Sequence, residues 1–159
     1  MLQTVKCATM KIMHSLINVS EILVLLLFSC SRGSNGIEET ASDTSKPMIN
    51  IVDPINNKTV ILGSKLHLQM DLSDNVELKS YKIVIKKGQK GVATSDWAFS
   101  QTWPITSGKK TFSVNQDEIA IPLTVTGNQT TTGNYTMEIS CLDSSSNESL
   151  LSLSLIVNN

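Results

Sequence analysis

Few residues in this chain could carry chemistry. Of its two histidines, only His67 lies beyond the apolar N-terminal segment, and its three cysteines, Cys7, Cys30 and Cys141, are far apart. A zinc site needs about four nitrogen and sulfur ligands, and a nucleophile needs an adjacent base; neither set can be assembled. His67 sits between Leu66 and Leu68 and reads as an outward side chain of a half-buried strand. Cys141 shares parity with Tyr135, Met137 and Ile139, so it reads as a buried free thiol. With no catalytic constellation, a protein that is not an enzyme and has no bound cofactor is expected.

Oxygen ligands are better represented. Asp71, Asp74 and Glu77 surround one turn, and Asp143, Asn147 and Glu148 surround another. If both turns share one end of a β-sandwich, Asp71, Asp74 and Asp143 become calcium candidates, because calcium takes hard carboxylate and amide oxygens. Asp and Asn also satisfy local backbone groups in turns without any ion. No ligand spacing here is diagnostic, and ordinary turn chemistry is the simpler expectation.

Aromatic residues make up 4% of the chain, yet Ser95 to Trp103 holds both tryptophans. Trp97, Phe99 and Trp103 share parity, so one strand can place all three on one face. Two uses follow from that pattern: an exposed platform for a glycan or protein partner, or a contribution to the core. Burial of most of this area is the first expectation and the platform the alternative.

Cys30 has a different setting. Ile22 to Phe28 is an unbroken apolar run preceded by Lys6 and Lys11, and it is too short for the roughly 20 residues of a spanning helix. It reads as a signal peptide. Leu27-Phe28-Ser29-Cys30 resembles the bacterial lipobox, whose cysteine receives a diacylglyceryl group and an N-acyl chain after cleavage. Two or more chains make a stable membrane anchor. Residues 1–29 are therefore expected to be a leader, with Cys30 lipid-bearing, and the protein to reside in the cell envelope at the outer membrane, on either face. Residues 30–46 are rich in Ser, Thr, Gly and acids and read as a flexible tether. The net charge of −1 argues against a nucleic-acid partner.

The elements that must position these groups begin near Pro47. Short apolar runs follow one another, broken by Asp53-Pro54, Gly63-Ser64, Ser73-Asp74-Asn75 and Gly88. Strands are expected at Met48–Val52, Thr59–Leu62, Leu66–Leu72, Tyr81–Lys86, Phe112–Val114, Glu118–Ile121, Tyr135–Leu142 and Leu150–Val157. Such strands over residues 47–159 predict an all-β fold, an immunoglobulin-like antiparallel β-sandwich of about seven strands. Tyr135 stands where a tyrosine corner would place its hydroxyl on upstream backbone, and Met137 stands where antibody-type domains carry a cysteine. In this fold the tether and the acidic turns share one end, and the lysine-rich turn Lys86 to Lys90 points the other way.

Ser73-Asp74-Asn75, Leu78-Lys79-Ser80-Tyr81-Lys82-Ile83, Ile119-Ala120-Ile121-Pro122, Gly133-Asn134-Tyr135, and Asp143 with Asn147 together resemble a Bacteroidetes lipoprotein family, domain of unknown function forty-six twenty-five. The resemblance covers nearly everything from Pro47 onward. It implies an immunoglobulin-like fold and an envelope location, and it implies no activity. Histidines that the family often carries after its third strand are missing from Lys86-Lys87-Gly88-Gln89-Lys90-Gly91-Val92-Ala93-Thr94-Ser95-Asp96-Trp97, so no metal or catalytic role transfers from them.

Overall fold

The computed structural model describes residues 42–88 and 93–159. The leader and Cys30 lie outside the described residues. The described chain forms strands β1 Met48–Asp53, β2 Lys58–Ile61, β3 Lys65–Ser73, β4 Leu78–Lys87, β5 Phe99–Pro104, β6 Thr111–Ala120, β7 Thr124–Val125, β8 Asn128–Gln129, β9 Gly133–Asp143 and β10 Glu148–Asn158. They build a three-stranded sheet, β1-β3-β6, and a five-stranded sheet, β2-β10-β9-β4-β5, with β7-β8 as a small separate hairpin. All pairings are antiparallel except β2 with β10. This is the expected immunoglobulin-like β-sandwich.

Period-two alternation explains why the sheets face each other. Leu66, Leu68, Met70 and Leu72 of β3 turn inward, as do Tyr81, Ile83 and Ile85 of β4, Tyr135 to Cys141 at alternate positions of β9, and Leu153, Leu155 and Val157 of β10. All of them join one core cluster. Each such aliphatic side chain contributes about 1.5–3 kcal/mol by leaving water, and no disulfide spans the sheets: the one described cysteine, Cys141, is free and buried.

Besides the parallel β2-β10 pairing and the added edge strand β5, three features differ from the sequence expectation. Phe112–Val114 and Glu118–Ile121 are segments of the single strand β6, whose pairing with β3 shifts register between Leu66 and Leu68. Such a bulge breaks the alternation that would have joined the two halves. The first two strands, alike in pattern, lie in different sheets: the chain leaves β3 at Asp53 and pairs with β10 from Lys58. The β7-β8 hairpin closes through Thr126 and Gly127, both at positive φ (51° and 81°). That backbone suits a two-residue hairpin turn, but Thr is a rare residue to occupy it.

Candidate metal centre

Strand β9 runs from Gly133 to Asp143 and keeps its inward parity to its last residue, so after Tyr135, Met137, Ile139 and Cys141 the next core position is a carboxylate. Asp143 is 0% exposed. Its Oδ1 accepts the Asn147 backbone N–H (2.7 Å) and its Oδ2 accepts from Asn147 Nδ2 (2.8 Å), which closes the β9-β10 turn. Asp74, in the turn between β3 and β4, accepts the backbone N–H groups of Val76 and Glu77 on Oδ2, both at 2.8 Å. Asp43 precedes β1; its Oδ1 accepts from Ser45 N–H and Asn75 Nδ2, both at 3.0 Å, and its carbonyl accepts from Asn147 Nδ2 at 3.1 Å.

The three side chains converge. Carboxylate oxygens from Asp43, Asp74 and Asp143 all lie within 4.8 Å of one another. The second oxygen of Asp43, Oδ2, and Oδ1 of Asp74 are shut off from solvent and accept no hydrogen bond among the described residues. Like charges at this spacing repel, and the half-buried setting of Asp43 and Asp74 beside buried Asp143 reduces the water that would screen them. Among the described residues, no ion pair involves any of the three. Lys110, on the same end, donates to the Asn75 carbonyl (2.8 Å). The Asn75 and Ser45 donors hold the Asp43 carboxyl below the usual carboxylate range, against a smaller opposing effect of burial. Half-buried Asp43 and Asp74, each with one donor-less oxygen, and fully buried Asp143 form a hard-oxygen set that fits calcium or magnesium; the cluster contains neither nitrogen nor sulfur to favour zinc.

The opposite end of β9 is arranged differently. The Tyr135 hydroxyl donates to the Thr131 carbonyl (2.8 Å) and accepts the Trp97 backbone N–H (3.2 Å), which is the expected tyrosine corner. Beside it, Asp96 accepts from the Thr131 hydroxyl and from Ala93 N–H (2.7 Å), and pairs with Lys87 Nζ at 3.2 Å. Asp96 is held below the usual carboxylate range chiefly by the Thr131 hydroxyl, with burial opposing and Ala93 and Lys87 assisting.

The family described as a domain of unknown function, DUF4625, matches residues 28–158. The chain belongs to the DUF4625 family. No curated protein matches it. The motifs that carried the resemblance now have places in the DUF4625 fold: Ser73-Asp74-Asn75 forms the β3-β4 turn, Gly133-Asn134-Tyr135 opens β9, and Asp143 with Asn147 brackets the turn into β10.

Other candidate residues of this DUF4625 chain fall elsewhere. Asp71 is corrected: it lies on the outward face of β3 and accepts from Ser113 Oγ (2.6 Å), because its parity is opposite to that of Met70 and Leu72. Glu77 accepts Gly108 N–H (2.5 Å), and Glu148 lies beside Lys82, Glu138 and Leu150 on the outer sheet face. Asp43, absent from the expected ligands, belongs to the segment read as tether. Its only sequence signal is an acid a few residues before the first strand.

The aromatic residues do not form one platform. Trp97 is 4% exposed and packs on Tyr135 at 5.8 Å between ring centroids. Trp103 stacks on Tyr81 (5.1 Å, 11° between planes) and lies 6.2 Å from Phe99; both Phe99 and Trp103 are half-buried on the core side of edge strand β5. Trp97 precedes β5, so the shared parity does not extend to it. His67 pairs with Asp117 on the surface at 2.8 Å. Burial, reinforced by the nearby Asp74 and Asp143, pushes the Cys141 thiol up to about 11, a setting that disfavours nucleophilic thiolate.

Proposed function

We propose that this protein is a lipid-anchored, non-catalytic module of the bacterial cell envelope, held at the outer membrane through Cys30, whose sandwich acts as a spacer stiffened at its anchored end by a divalent cation. Calcium fits best, because the donors are carboxylates that strands and turns set at the sandwich end and calcium tolerates irregular oxygen geometry. The observation that carries the reading is the convergence of Asp43, Asp74 and Asp143 with buried oxygens that no group among the described residues satisfies. Asp43 belongs to the segment leading from Cys30, so a cation there sits where the anchor chain enters the domain. The family match beginning at Phe28, just before Cys30, supports treating that cysteine as belonging to the matched unit.

A second reading, capture of a glycan or protein partner, rests on the half-exposed Phe99 and Trp103 on edge strand β5. Burial of Trp97 removes one of the three aromatic groups on which a platform would depend, so the spacer is the stronger reading.

Calorimetric titration of calcium chloride into the detergent-solubilised full chain tests the site. One binding event is expected, with Kd of about 10⁻⁴ to 10⁻³ M, the range of extracellular modules, and it should vanish in Asp143→Asn. No heat at several millimolar calcium, on the order of the weakest such sites, would sink the proposal. The anchor is tested separately: Cys30→Ser should move the protein out of the membrane fraction, and unchanged fractionation counts against lipidation.

A further inference from the structure

The three carboxylates are not held equally. Asp74 is fixed by two backbone N–H groups of its own turn, and Asp143 is the last residue of a strand paired on both sides. Asp43 rides on residues 42–47, which precede β1 and belong to neither sheet. Among the described residues, the hydrogen bonds from this segment to the sandwich are few: Asn75 to the Asp43 carboxylate, Asn147 to the Asp43 carbonyl, and Ser149 Oγ to the Pro47 carbonyl (2.5 Å). When three negative charges repel, the one on the least restrained chain leaves.

We infer that the cation works as a clasp on this segment, docking residues 42–46 when bound and releasing them when removed. The inference rests on the divalent-cation reading of the centre and adds a regulatory consequence to it. Asp43 is the moving jaw; Asp74 and Asp143 are the fixed ones. Release frees five residues of chain ahead of Pro47, which lengthens the link between Cys30 and the domain by up to about 17 Å at full extension. Calcium concentration then sets both the reach of the domain and its freedom to rotate about the anchor.

The test is amide hydrogen exchange of the full chain in detergent, with calcium chloride or with EGTA, paired with calorimetric titration of calcium. Exchange at Thr44, Ser45 and Lys46 should be about tenfold faster in EGTA, within the ordinary range of coupling between sites, while the β3 peptide 66–72 is unchanged. Coupling is reciprocal, so what the cation adds to docking, docking adds to cation affinity. Asn75→Ala, which loosens the segment without removing a carboxylate, should therefore weaken calcium binding severalfold and speed exchange at Ser45. Calcium binding with equal exchange in both buffers overturns the clasp and leaves the metal centre standing. Absence of calcium binding overturns the centre and the clasp together.

Discussion

Both ends of β9 bring carboxylates out of water, and they do so in opposite ways. At the Tyr135 end, Asp96 has a lysine, a threonine hydroxyl and a backbone N–H, so its charge is met by the chain itself. At the Asp143 end, some eight residues or about 26 Å along the strand, three carboxylates meet with no cationic partner among the described residues. The first arrangement is complete when the chain folds. On the proposed cation reading, the second depends on what the solution supplies. One end is then a fixed joint, and the other responds to its surroundings.

This contrast can be broken most directly with calcium itself. At a calcium concentration about 100 times Kd, linkage adds about 2.7 kcal/mol to the folded state, a rise in Tm of roughly 10 °C for a domain this size. Differential scanning calorimetry in calcium and in EGTA measures it, and identical melts would erase the difference between the ends. Asp74→Asn sharpens the same point: it should lose that increment in calcium, yet in EGTA melt no lower than the parent, because it also removes a repelling charge. Tyr135→Phe probes the self-sufficient end. It strips the acceptor from Trp97 N–H and the donor from the Thr131 carbonyl, and should cost about 1–2 kcal/mol by the same amount in both buffers.

Acid titration should give a smaller effect. The folded-state values of Asp43 and Asp96 are depressed, so the unfolded chain takes up protons first as pH falls. Their stabilising contribution is fully present above the unfolded carboxylate value of about 4 and is lost as pH drops through the depressed folded values. Thermal melts in EGTA at descending pH should show it, and a Tm that is flat below that value would contradict the assigned hydrogen bonds. The smallest effect concerns Cys141. Iodoacetamide at about pH 8, near an ordinary thiol value, should leave it unmodified in the folded protein and alkylate it after denaturation, as read by peptide mass spectrometry.

Much of the sandwich was legible because alternation is a local property: Leu66 to Leu72 and Tyr135 to Cys141 announce their inward faces residue by residue. The tyrosine corner was legible for the same reason, since Gly133-Asn134-Tyr135 carries its own signal. Sheet membership was not, because β1 and β2 look alike and only tertiary pairing separates them. The carboxylate cluster was half legible. Asp74 and Asp143 are flanked by turn residues and end recognisable strands, whereas Asp43 lies in a polar stretch whose composition gives no hint that the core's last carboxylate awaits it. Asp71 was drawn in by proximity in sequence, although its strand parity points it at β6 and the solvent.

The crossing of the chain between sheets after its first strand bears on how the domain would carry load. Because β1 pairs with β3 and β2 pairs in parallel with β10, tension applied along the strands at the N-terminal chain passes into both sheets in succession. Hydrogen bonds loaded along the strand direction must slip together, whereas those at a peeled edge break singly, in sequence. The same crossing that hid sheet membership from the sequence therefore ties the leading end of this domain to both sheets.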